Sequence, residues 1–128
     1  MSSVEIPYSV AAALPTLSVF DITNEVSRTV SRVGCESGIA YVSPVSDQTV
    51  IRVNERESGF FCDVEELLSR IVPLDVRERE RLLLFLLGPR SEQIPFTTRR
   101  LELGQWQRVL LFGFGDASGL DWRLTVVG

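Results

Sequence analysis

Residues 99–112 read RRLELGQWQRVLLF: a charged pair, a single glycine at Gly104, then Gln105-Trp106-Gln107 and the apolar run Val109-Leu110-Leu111-Phe112. Four apolar residues in succession leave period 2 no polar side to expose. A run this short, bulky throughout and bounded by turn residues, predicts a strand buried on both faces. A lone glycine at the entrance of a strand marks a bulge or a close backbone approach. Gly104 would then set Trp106 and Gln107 on opposite faces, where an amphipathic ring and a neutral amide suit a pocket wall. The alternative is that Trp106 is core and Gln107 an edge amide.

The remaining segments punctuate clearly. Residues 3–8 and 16–20 read as strands separated by Pro15. A helix begins at Asp21-Ile22-Thr23, with Asp21 or Thr23 as N-cap, and Ile22, Val26, Val30 and Val33 fall on one face before Gly34 ends it. Residues 38–45 and 48–54 read as strands joined by a tight turn at Ser46-Asp47. In the second, Thr49, Ile51 and Val53 share one face, and Val50, Arg52 and Asn54 the other. A helix over 60–72 places Phe60, Val64, Leu67, Leu68 and Ile71 together, and Pro73 stops it.

A third helix is expected over 75–87, in two unlike halves. Its first half is supported by Asp75–Arg79 and Glu78–Arg81 pairs in solvent. Residues 82–87 are apolar around the whole circumference, so the helix needs cover on more than one side. Either a neighbouring subunit supplies that cover or the helix sinks between layers. Pro95 makes residues 92–97 an edge or bulged strand. Residues 105–114 and 120–127 flank a glycine-rich hairpin, with Leu120, Trp122, Leu124 and Val126 inward. The sum over residues 1–128 is one α+β domain, a mostly antiparallel β-sandwich with about three helices.

Composition narrows the chemistry. All 13 basic residues are arginine, and net charge is −4. That balance does not suit a nucleic-acid backbone. No segment offers the run of about 18 apolar residues that crosses a bilayer, and the first residues lack the pattern of a signal peptide. Cys35 and Cys62 lie far apart in sequence, which reads as reduced core thiols in a cytoplasmic protein. Histidine is absent. No imidazole base, His-containing zinc site or Ser-His-Asp triad can therefore be built, and no cofactor or transition metal is expected.

Several segments, in order, resemble the YjbQ family, known as secondary thiamine-phosphate synthase-like proteins. They are Asp21-Ile22-Thr23 with Val26, Gly38-Ile39-Ala40-Tyr41-Val42, Asn54-Glu55, Asp63, Arg70-Ile71-Val72-Pro73, Leu86-Leu87-Gly88-Pro89, Ile94-Pro95, and Arg100-Leu101-Glu102-Leu103-Gly104-Gln105-Trp106-Gln107. The Leu-Gly-x-Trp-Gln element is the most specific of them. The resemblance implies an α+β sandwich and a homotrimer, which agrees with the apolar third helix.

The departures concern the site. The family's histidine-led motif before Asn54 maps to Ser46, and the histidine and lysine of its third helix map to Arg81 and Leu83. What the resemblance leaves is Glu55 and Asp63 as the anionic candidates for catalysis. Asn54, Arg100, Trp106 and Gln107 are the candidates for binding a small phosphorylated ligand. Trp106 would stack on a ring, Gln107 and Asn54 would give neutral hydrogen bonds, and Arg100 would meet a phosphate. Glu55 and Asp63 are oxygen donors of the kind Mg²⁺ takes, or else carboxylates offsetting a helix dipole. Two functions follow as expectations: a thiamine-phosphate synthase-like enzyme with an altered site, or a non-catalytic trimeric homologue that binds a small ligand or serves structurally.

Overall fold

The computed structural model describes residues 9–115 and 121–128. Among them the chain forms β1 (Ser9–Ala13), β2 (Leu17–Asp21), α1 (Thr23–Arg32), β3 (Ser37–Pro44), β4 (Thr49–Glu55), α2 (Ser58–Ile71), α3 (Arg79–Leu86), β5 (Glu92–Thr97), β6 (Arg100–Leu101), β7 (Gln107–Phe114) and β8 (Trp122–Val127). These strands make two four-stranded sheets, ordered β1-β2-β7-β4 and β6-β5-β3-β8. All their pairings are antiparallel. The expected α+β sandwich is the fold observed.

The apolar run before Gly113 is the centre of the first sheet. β7 pairs β2 on one side and β4 on the other, and Val109, Leu110 and Leu111 have no exposed surface. Its alternate residues feed two different cores. Val109 and Leu111 join Ile51, Ala40, Val42, Ile94 and Phe96 between the sheets, where Ile22, Val26 and Val30 of α1 close one end. Leu110, Phe112 and Phe114 face outward beneath the helices, with Phe61 and Leu68 of α2 and Leu83 of α3. The layers are therefore helices, sheet and second sheet. A fully buried side chain of this kind contributes roughly 1.5–3 kcal/mol.

Both expected hairpins are corrected. β3 and β4 do not pair; the turn at Ser46-Asp47 carries the chain from one sheet to the other, as does the connection between β7 and β8. A short connection can close a hairpin or cross between two packed sheets, so sequence proximity does not decide. The expected strand at 3–8 and the residue Leu120 lie outside the described residues. Trp122, Leu124 and Val126 do point into the inter-sheet core. Pro95 sits opposite Ile39 of β3, in a strand whose other neighbour, β6, has only two residues and pairs Phe96 and Thr97. β5 is thus close to an edge, as a proline requires.

Helix faces needed most correction. α2 buries Phe61 and Leu68, while Phe60, Leu67 and Ile71 are exposed. Two adjacent apolar rows run along this helix, and only one meets the sheet. α3 starts at Arg79, not at residue 75, because Glu78 is left-handed with φ of 57°. The Asp75–Arg79 pair is not formed. Arg79 is buried instead, its Nε donating to Val72 O at the end of α2 over 2.8 Å. The Glu78–Arg81 pair is present at 2.7 Å. Leu83 is fully buried, but Leu82, Phe85 and Leu86 are exposed, so the helix does not sink between layers of this chain. Val33 and Cys62 are exposed and so are not core, whereas Cys35 is half-buried and packs against the inter-sheet core; both thiols are free.

Candidate functional site

The end of β4, the start of β7 and the first turn of α2 converge on one concavity. The β4–β7 register places Glu55 opposite Gln107 and Asn54 opposite Arg108. After Glu55 the chain turns sharply, and Glu57 caps α2 by accepting from Gly59 N at 3.0 Å and Phe60 N at 2.5 Å. The resulting mouth, about 390 Å³, is lined by Asn54, Glu55, Glu57, Phe60 and Gln107. It shares Val53, Asn54 and Phe60 with an apolar cleft of about 210 Å³ that runs beneath α2 and α3, over Leu68, Phe112 and Phe114.

Hydrogen bonds decide what the mouth can offer. Gln107 folds back over the preceding turn: its Oε1 accepts from Gly104 N at 2.7 Å, and its own N–H reaches Gly104 O at 3.1 Å. A Cβ at Gly104 would stand 3.1 Å from that amide oxygen. The glycine is therefore a close approach, with the Gln107 amide rather than a bulge as the reason. Gln107 Nε2 is left to donate. Asn54 donates Nδ2 to Glu55 O at 3.1 Å, which leaves its oxygen to accept. Arg52, on the cleft wall, is engaged through both terminal nitrogens: Nη1 donates to Ile51 O and Pro89 O, and Nη2 to Leu87 O at the end of α3. A guanidinium so placed offsets the negative end of that helix. The free groups are thus two amides and the Glu55 carboxylate.

Three of the six expected site residues, Asn54, Glu55 and Gln107, are brought together. The other three lie elsewhere. Asp63 is on the outward face of α2, in a shallow depression with Glu66, Leu67 and Arg70. It belongs to the second turn of a helix that begins at Ser58, so Glu57, not Asp63 or Glu55, is the carboxylate at the helix start. Trp106 stands in the turn before β7 and is 67% exposed, neither core nor pocket wall. Arg100 is in β6, in a groove beside α1. Glu55 and Asp63 therefore do not form a pair of oxygen donors for one Mg²⁺. Among the described residues no three His, Cys, Asp or Glu side chains gather as a metal site would need.

Sequence reasoning missed a second polar centre. Asp21 is buried, and its Oδ1 accepts from Thr23 N at 3.0 Å and Thr23 Oγ1 at 2.6 Å. Its Oδ2 receives Arg108 Nε at 2.9 Å and Arg56 Nη1 at 3.2 Å. Burial by itself raises the carboxyl pKa; the hydrogen bonds from Thr23 and Arg108, with the Arg108 charge, outweigh it and hold Asp21 below its ordinary value. Thr23 Oγ1 in turn accepts from Val109 N at 2.7 Å. The Asp-Ile-Thr segment is thus a joint that fastens β2 and α1 to β7. Neither residue is the expected N-cap, since Ile22 holds that position without a side-chain bond; the signal was Asp21 two residues before Thr23, a local turn pattern.

A family model described as "UPF0047 protein YjbQ-like" matches residues 13–127. The chain belongs to the YjbQ family. Membership is supported by a UPF0047 protein of Archaeoglobus fulgidus, 31% identical over 107 residues, covering 77% of this chain and 82% of that one. A UPF0047 protein of Methanothermobacter thermautotrophicus is 27% identical over 121 residues, covering 88% and 84%. In three dimensions this YjbQ-family chain is similar to a crystallised "YbjQ-like protein of unknown function" from Sulfolobus solfataricus. The TM-score is 0.78 with 22% identity, over 94% of this chain and 93% of that one, a likeness of fold.

Proposed function

We propose that this YjbQ-family chain is a small-ligand-binding, non-catalytic homologue. Its ligand is an amphipathic molecule whose polar head meets Asn54, Glu55 and Gln107 and whose apolar body lies over Phe112 and Phe114. The observation that carries this reading is the continuity of the amide-bearing mouth with the apolar cleft, through the shared residues Val53, Asn54 and Phe60. An apolar pocket with a few convergent polar groups suits recognition. Thiamine-phosphate synthesis needs more: groups that hold a diphosphate and stabilise its departure. The one arginine at this place, Arg52, is committed to backbone carbonyls. Arginine at position 81 cannot serve as a base near neutrality, so it does not replace an imidazole.

The unit of function is a homotrimer in this reading. Its support is α3, which leaves Leu82, Phe85 and Leu86 on the surface of the single chain. Light scattering on a sizing column gives the mass directly; a monomer at micromolar concentration removes the trimer.

Two measurements test the ligand reading. The neutral dye Nile red should bind one site per chain, and Val64→Trp, which fills the cleft, should abolish binding. Binding that survives Val64→Trp puts the site elsewhere. In a side-by-side thiamine-phosphate synthase assay, this chain should fall below histidine-bearing homologues by more than the roughly 10²–10⁴-fold worth of one acid–base group. Growth rescue of a synthase-deficient strain overturns the non-catalytic reading.

A further inference from the structure

The arginines of this chain are not evenly spread. Between α1 and the β5–β6 hairpin lies an open groove of about 450 Å³, lined by Ser27, Arg28, Ser31, Arg99, Arg100 and a floor of leucines. Three guanidiniums and two hydroxyl-bearing side chains face it, and no carboxylate lines it. That is a local reversal in a chain with 17 acidic residues against 13 arginines.

We propose that this groove seats the phosphoryl group of a small phosphorylated molecule. The three arginines differ in how they are held. Arg28 is paired to Glu25 one turn earlier on α1, and Arg99 to Glu36 at 3.5 Å; neither glutamate lines the groove. These pairs hold two guanidiniums beside the groove and offset part of their charge, so Arg100 is the cation the groove offers in full. The Arg100 guanidinium makes no hydrogen bond or ion pair among the described residues, and the residue is exposed. A guanidinium presents planar, paired N–H donors that match phosphoryl oxygens.

The backbone beneath them is held in an uncommon form. Thr98 and Arg99 form the two-residue turn of the hairpin with φ of 54° and 62°, a left-handed pair that glycine and asparagine favour. A β-branched residue there is strained. The turn is tied down by Arg99 N donating to Glu36 O at 3.0 Å. The result directs Arg99 and Arg100 from adjacent positions on a rigid hairpin. Leu101 and Leu103 give the remainder of the ligand an apolar floor. An extended nucleic acid fits less well: the chain is net negative and no aromatic ring lines the groove to stack a base.

The groove is separate from the cleft under α2, so the test separates the two readings. Inorganic pyrophosphate is titrated into the intact protein at low salt, followed by amide chemical shifts. Saturable binding is expected, with the largest shifts in residues 27–31 and 98–103. Arg100→Ala should weaken it about tenfold, as loss of a charged hydrogen-bonding partner does. Arg77→Ala, an exposed arginine outside the groove, and Val64→Trp should leave it unchanged. Absence of saturable binding overturns the proposal, as does an equal loss in Arg77→Ala. Tighter, Arg100-dependent binding of a single-stranded oligonucleotide overturns it in favour of a nucleic-acid site.

Discussion

Arg108 Nε lies 2.9 Å from Asp21 Oδ2, and this contact joins the last residue of β2 to the second residue of β7 across 87 positions of sequence. Arg56, just past the end of β4, reaches the same oxygen. One buried carboxylate thus receives side chains from beside both of the strands that flank or form the sheet's centre. The two guanidiniums remain about one-third exposed, at 35% and 39% of their side-chain surface, so water moderates the pairing.

Asp21→Asn should destabilise the fold by about 1–3 kcal/mol, read from urea unfolding, because charged hydrogen bonds become neutral ones and one acceptor is lost. The effect has a pH signature. The folded-state pKa of Asp21 is depressed, so its contribution is complete above the unfolded aspartate value of about 3.9 and disappears as pH falls through the folded value. The stability difference between the native chain and Asp21→Asn should therefore be constant near neutrality and shrink below about pH 4. A difference that grows on acidification contradicts the assignment.

Thr23 is tested by what its hydroxyl accepts. Thr23→Val keeps the shape but leaves Val109 N–H without its partner in a buried place, which should cost about 1–3 kcal/mol. Thr23→Ser keeps the oxygen and should recover most of that loss in the same unfolding measurement.

Leu83 and Phe85 stand two residues apart on α3 with opposite expectations. Leu83→Ala removes a fully buried side chain and should lower stability by about 2–5 kcal/mol. Phe85 is 82% exposed, so Phe85→Ser should leave the stability of an isolated chain within about 0.5 kcal/mol. In a trimer that uses this face it should lower the mass seen by light scattering.

Thr98→Asn should stabilise, by a few tenths to about 1 kcal/mol, since asparagine tolerates the left-handed backbone that threonine resists. Thermal unfolding reads it. A loss of stability would mean that the Thr98 side chain makes up for its backbone cost.

What the sequence disclosed follows from what periodicity measures. Val109 to Phe112 have no polar alternate, so their burial on both faces was legible, as was the single face of α1 at Ile22, Val26 and Val30. α2 has two neighbouring apolar rows, Phe60-Leu67-Ile71 and Phe61-Leu68, and no local pattern says which one a distant sheet will cover. Glu78 adopts a left-handed backbone although its neighbours alternate in charge as a solvated helix does, so the late start of α3 and the burial of Arg79 were hidden. At the site, Asn54, Glu55 and Gln107 converge because β4 and β7 are neighbours in register. Trp106, adjacent to Gln107, falls in a turn instead, since the side chain of Gln107 is turned back onto Gly104. Residues next to each other in a motif need not share a destination.

The place of β7 between β2 and β4 has a consequence for the order of events in synthesis. Its two neighbours, at Leu17–Asp21 and Thr49–Glu55, leave the ribosome long before Gln107–Phe114 does. Until that segment appears, each holds an unpaired edge, and neither core has its central residues. The N-terminal half of this chain can therefore form only the β1–β2 pair of this sheet during translation. Ribosome-bound intermediates ending near residue 100 should remain protease-sensitive, and protection should arrive in one step once Gln107–Phe114 has emerged.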